Sequence, residues 1–265
     1  LDYRIIIIVL IYNVLNSLLV NYLFSIDFFN PINYYTNEII NGTLVGNLIG
    51  LSGSLFIIFK IGKHNLGSIW FSKRKLIIAI LLIISIWIIS QIFIIAFSYY
   101  TTREIIFIQH FNVMAGNIIG QFFGNSLLEE MIFRGILLMQ LYLIFIAKYS
   151  NKMTIIYSLA ASAVIFVLSH IPNRILTYIP DSLVIDTMSL LFGSTLLGII
   201  FLKTKNLPFV IGFHSLVNYP SNIIVTNIPT EPIIFALVII ITLKWDKIIG
   251  KETEYLLPIV EPLKV

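Results

Sequence analysis

What most constrains this chain is a set of long runs free of Asp, Glu, Lys and Arg: Ile5 to Ile26, Ile39 to Phe59, Leu76 to Thr102, Met153 to Asn173 and Asn206 to Thr230. A helix needs about 20 mostly apolar residues to cross the hydrocarbon core of a bilayer, and each run reaches that length. One such run would suit a buried helix of a soluble protein. Five do not, because a water-soluble fold of 265 residues with only 11% charged residues could not cover its own surface. The first run carries Asn13, Asn16 and Asn21 and is too long for the apolar core of a cleaved signal peptide, so it counts as a span. The fold expected is an all-α polytopic transmembrane bundle of about eight helices, with residues 1–250 as a single integral membrane domain and 251–265 as a short polar tail.

The spans are expected at Ile5 to Phe24, Ile40 to Phe59, Leu76 to Phe97, Ile118 to Phe145, Thr154 to Ile171, Leu183 to Leu202, Leu207 to Val225 and Ile233 to Ile249. On this division 14 of the 17 basic residues fall on one side of the membrane, while Arg103 and Arg174 fall on the other and Arg134 lies within a helix. The positive-inside rule then puts both termini in the cytoplasm. The region from Val113 to Ala147 would measure roughly 50 Å as one straight helix, so a break is expected near Gly116, Gly120 or Gly124. With no cysteine, thiolate ligands and a cysteine nucleophile are excluded. No basic, aromatic-interleaved patch points to nucleic acid.

Ionisable groups within a span cost about 2.5 to 3.5 kcal/mol each on insertion scales, so those present need a reason. The fourth span holds Glu129, Glu130 and Arg134. Glu130 and Arg134 are four apart and within reach of an ion pair, whereas Glu129 points about 100° away from Glu130. The plain reading is that both carboxylates balance Arg134. The sharper one divides their labour, with Glu130 fixing Arg134 and Glu129 left over a cavity. His170 ends the fifth span one turn after Phe166, and His214 lies in the seventh one turn before Asn218. Imidazole can donate, accept or bind a metal, and an Asn amide suits an oxyanion.

The ordered set Glu-Glu-x-x-x-Arg at 129 to 134, Phe-x-x-x-His at 166 to 170 and His-x-x-x-Asn at 214 to 218 resembles the three motifs of the CPBP family, the CAAX proteases and bacteriocin-processing enzymes also called Abi proteins, including the type II CAAX prenyl endopeptidases. The similar region covers about Ile118 to Asn222. The resemblance implies an intramembrane endopeptidase. Glu129 would activate the attacking water with help from His170, His214 and Asn218 would stabilise the oxyanion, and Glu130 and Arg134 would form a structural pair. The substrate would be a membrane-associated peptide or lipidated protein, either a prenylated CAAX-type C-terminus or a bacteriocin or peptide leader, met among membrane lipids.

No cofactor is favoured, because a glutamate base needs none. If zinc were held, its ligands would be Glu129, His170 and His214. His-Glu-x-x-His and Gly-x-Gly-Asp motifs are absent. Gly50-Leu51-Ser52-Gly53 matches the Gly-x-Ser-Gly of rhomboid proteases, but small residues in a span more often form a helix-packing seam. The alternative from another class is a non-enzymatic membrane protein, either a transporter with a Glu/His proton relay or an immunity protein of the same fold.

Overall fold

The computed structural model describes residues 3–62, 72–177 and 180–250. Lys63, His64 and the expected tail at 251–265 lie outside the described residues. The helices are α1 (Tyr3–Ser25), α2 (Asn30–Tyr35), α3 (Gly42–Ile61), α4 (Lys73–Thr102), α5 (residues 111–146), α6 (Asn151–Thr177), α7 (Pro180–Thr204), α8 (Leu207–Asn218), α9 (Glu231–Leu243) and the single turn α10 (Trp245–Ile248). Among the described residues there is no strand, only an isolated antiparallel bridge between Phe107 and Ile224.

The helices α1, α3, α4, α6 and α7 are long and apolar enough to cross a membrane. Their outward faces are apolar, unlike those of a soluble bundle. On α4, Ile80, Leu81, Ile84, Ile88 and Ile92 are exposed while Ser90, Gln91 and Ser98 are buried. Lipid is as apolar as isoleucine, so nothing drives these side chains inward, and small or hydrogen-bonding residues share the interior with Ile86 and Ile94. The glycines of α3 follow this rule. A Cβ on Gly53 would lie 2.2 Å from the Tyr12 hydroxyl, and one on Gly50 would lie 2.6 Å from the Asn16 amide, so α1 and α3 pack backbone to side chain along a small-residue seam. Ser52 is exposed beside that seam, which accords with the packing reading of Gly50-Leu51-Ser52-Gly53.

Two expectations are corrected. The seventh helix stops at Asn218 rather than running to Val225. Pro220 disfavours helical backbone in the residue before it, and Tyr219 is extended at φ −149°, ψ 93°. The chain then runs beside residues 106–108, with Ile108 N donating to Ile223 O at 3.1 Å and Val225 N to Ile106 O at 2.8 Å. Gln91 and Trp87 of α4 bind the Ile223 amide and the Ser221 carbonyl, so this non-helical backbone is satisfied by protein.

The second correction concerns α5, which does not break at its glycines. It changes hydrogen-bond register, with wide π-type turns over Gly120–Ser126 and Met131–Leu138 on either side of Leu127–Glu130. The glycines serve close approach. A Cβ on Gly116 would lie 1.8 Å from the Glu38 carbonyl oxygen, and one on Gly120 would lie 2.6 Å from the Asn41 side chain, so the turn between α2 and α3 seats directly on α5. From Ile132 to Gln140 every residue is buried. The helix is thus the centre of the bundle, packed against α3, α6, α7 and α8.

Candidate active site

Glu129 and Glu130 occupy the ordinary helical turn between the two wide ones, a placement that π-type turns often take near functional sites. Neighbouring residues of a helix point about 100° apart, and the two carboxylates accordingly enter different surroundings. Glu130 is fully buried. Its Oε1 accepts from Arg134 Nη1 at 2.9 Å and lies 2.6 Å from His214 Nδ1. Arg134 Nη2 donates to the Ser194 carbonyl at 3.1 Å and to its hydroxyl at 3.0 Å, which ties α5 to α7. The guanidinium also stands 4.8 Å from the Phe166 ring centre.

Glu129 instead lines a cavity of about 440 Å³ together with His170, His214 and Asn218. Its Oε1 is 3.4 Å from His170 Nε2, and its Oε2 is 3.7 Å from His214 Nε2. One carboxylate therefore stands between two imidazoles. The outward nitrogen of each ring is already committed: His170 Nδ1 lies 2.8 Å from the Phe166 carbonyl, and His214 Nδ1 lies against Glu130. Both partners are acceptors, so Nδ1 carries hydrogen in each ring and Nε2 is the edge turned to Glu129. In the imidazolium form that edge donates, and in the neutral form it presents a lone pair.

The geometry gives each motif position a physical task. Phe166 stands one turn before His170 so that its carbonyl sets the imidazole orientation, and its ring is shared by His170 at 4.3 Å, Phe133 at 4.8 Å and the Arg134 guanidinium. His214 bridges the two carboxylates, touching Glu130 with one nitrogen and facing Glu129 with the other. Asn218, one turn on and at the exposed end of α8, donates through Nδ2 to Gln121 Oε1 at 3.2 Å. All seven motif residues expected from the sequence thus meet in one place. Sequence reasoning missed Gln121 and Ser194, which as isolated polar residues in apolar helices carry no spacing signal. It also missed that Asn13, Asn16 and Asn21, noted only as unusual for a signal peptide, line the cavity from α1.

Residues 111–220 match the family model described as type II CAAX prenyl endopeptidase, Rce1-like. That segment, less than half of the chain, is similar to the CPBP, or CAAX protease, family. It begins at α5 and ends just past α8, so it contains every motif residue, while α1 to α4 lie outside it. Intramembrane proteolysis of CAAX type is the general activity that this family implies. No curated protein and no solved structure matches the chain. Among the described residues, no group of three or more His, Asp or Glu side chains stands in a metal-holding arrangement. Within the matched segment Glu129 stands 3.4 Å from His170 and 3.7 Å from His214.

Proposed function

We propose that the chain is an intramembrane endopeptidase in which Glu129 is the general base. The observation that carries this reading is the separation of the two neighbouring glutamates: one is locked to Arg134 and His214 in the interior, the other faces a cavity between two imidazoles. Peptide hydrolysis needs a base, a water and donors for the oxyanion inside a shielded space. Glu129 takes a proton from water as its oxygen attacks the scissile carbonyl. His214, donating from Nε2, and the Asn218 amide stabilise the oxyanion. The proton held by Glu129 then passes to the departing amine as the C–N bond breaks. His170, oriented through Phe166, holds Glu129 in place and supports its protonation cycle.

The substrates this reading favours are membrane-associated peptides, a prenylated CAAX-type C-terminus before a bacteriocin or peptide leader, because the matched family is the CAAX prenyl endopeptidase type. The reaction is proposed to need no metal, since a glutamate base and amide donors suffice for it. Both termini are proposed to be cytoplasmic, and a reporter fused near Asp181 that reads as cytoplasmic would overturn that orientation. The central experiment is to replace Glu129 by Gln, reconstitute the protein, and follow hydrolysis of a farnesylated CAAX peptide. The expected result is unchanged yield with a rate lowered by about 10² to 10⁴. Full activity in Glu129→Gln would remove the assignment.

A further inference from the structure

Eight amide side chains line the cavity around Glu129. At membrane depth such a group is costly unless its donor and acceptor are met. Asn13, Asn16, Asn21, Asn47 and Asn218 each donate to an oxygen of the protein, and Asn173 and Gln121 each accept one of those bonds. The eighth is Asn125. Among the described residues its side chain makes no hydrogen bond, although it is half-buried and lines the cavity.

Asn125 lies in the first wide turn of α5, directly after Gly124. A Cβ on Gly124 would stand 3.0 Å from the Thr43 carbonyl oxygen and 3.5 Å from Asn47 Cβ, so the backbone at this point is seated against α3. Asn125 precedes Glu129 by four residues, which puts the two on neighbouring turns of one face, about 6 Å apart along the helix axis. Both line the same cavity. An extended peptide repeats every two residues, at about 6.6 Å, and turns the N–H and C=O of one residue to the same side. A carboxamide offers the complementary pair, one acceptor and one donor. An extended chain that runs along α5 with its scissile carbonyl beside Glu129 therefore brings the residue about two positions away level with Asn125.

We propose that Asn125 is a positioning residue that holds the substrate backbone about two residues from the scissile bond, its Oδ1 accepting from the N–H and its Nδ2 donating to the C=O of that residue. This rests on the endopeptidase reading and deepens it. The paired contact keeps the substrate extended and fixes its register against Glu129, while asking nothing of the substrate's side chains. The chemistry stays with Glu129, His214 and Asn218. Binding breaks no bond within the protein, since the Asn125 amide has no partner among the described residues to give up. Asn21 or Asn47 in the same task would exchange one hydrogen bond for another and gain little.

The probes are a fluorescent farnesylated CAAX peptide and a series in which one backbone N–H at a time, on either side of the cut, is replaced by an ester oxygen, the scissile amide being kept. Binding is read with the full chain carrying Glu129→Gln in lipid nanodiscs, and hydrolysis with Glu129 in place. One ester, about two residues from the cut, should weaken binding and lower kcat/KM about three- to tenfold, the effect of one neutral hydrogen bond. Asn125→Ala should keep the yield of folded protein, weaken the all-amide peptide at least as much, and erase the difference between that peptide and the sensitive ester. Asn125→Gln should restore part of it. Equal binding of every peptide, binding of none, an ester effect that survives Asn125→Ala, or an Asn125→Ala loss shared equally by all the peptides would each overturn the contact. Failure of the endopeptidase reading shows differently, as a chain whose binding has the Asn125-dependent ester effect but which, with Glu129 in place, cuts none of the series.

Discussion

Replacing Glu130 by Gln tests the division of labour between the two glutamates. The carboxylate is fully buried, and a single oxygen serves Arg134 at 2.9 Å and His214 at 2.6 Å. Removing the charge from one side of a buried ion pair typically costs about 3 to 5 kcal/mol, because the partner charge is left uncompensated. Arg134 retains the Ser194 carbonyl and hydroxyl and the face of Phe166, which favours the lower end of that range. A loss of about 3 kcal/mol is a large part of a total stability of about 5 to 15 kcal/mol. At about 2 to 4 °C per kcal/mol it lowers the midpoint by roughly 6 to 12 °C. The assay is thermal unfolding of detergent-purified protein, read as the fraction surviving size exclusion, alongside peptide hydrolysis. Glu130→Gln should lose yield, midpoint and rate together, since His214 loses its anionic support as well. Glu129→Gln should keep yield and midpoint and lose rate alone. If the two variants prove indistinguishable in both readouts, or if Glu129→Gln is the less stable, the reasoning is wrong.

Asn218→Ala should lower the hydrolysis rate by about 10² to 10³ if its amide serves the oxyanion, with Gln121→Ala showing a smaller loss because it only orients that amide; equal rates for Asn218→Ala and the parent would refute the role. Gly116→Ala should sharply reduce folded protein, because its Cβ meets a backbone carbonyl that cannot move aside, whereas Gly193→Ala, which meets nothing within 4 Å, should be neutral or stabilising by about 0.5 to 1 kcal/mol. Comparable yields of the two glycine variants on fluorescence-detected size exclusion would contradict the packing described for α5. Chelation should leave hydrolysis unchanged. Stoichiometric zinc that departs and returns with activity would instead assign Glu129, His170 and His214 as its ligands.

The parts of the site legible in the sequence were those governed by local geometry. Glu130 and Arg134 pair because they are four apart on one helix, Glu129 diverges because it is one apart, and Phe166 supports His170 because it lies one turn earlier. What was not legible depends on how helices meet. His214 reaches Glu130 only because α8 crosses α5, and Ser194 meets Arg134 only because α7 does, so no spacing along the chain announces either contact. Arg174 was counted as an outer-loop charge, yet the last turns of α6 carry it to the cavity. The segment from Val113 to Ala147 was expected to break at its glycines because as one straight helix it would outrun the hydrocarbon core. Its packing demanded close approach to Glu38 and Asn41 instead, and tertiary contact overrode local propensity.

The buried run from Ile132 to Gln140 and the lipid-facing row on α4 impose different kinds of selection on the same amino-acid types. Lipid is an indifferent neighbour: at Ile80, Leu81, Ile84, Ile88 or Ile92 any aliphatic side chain satisfies it, so exchange among Ile, Leu, Val and Phe there is close to free. The surroundings of Ile136, Leu137 and Leu138 instead read volume and shape, where even one methylene is felt. The family match at residues 111–220 takes in this shape-selective centre, while the lipid-facing row on α4 lies outside it.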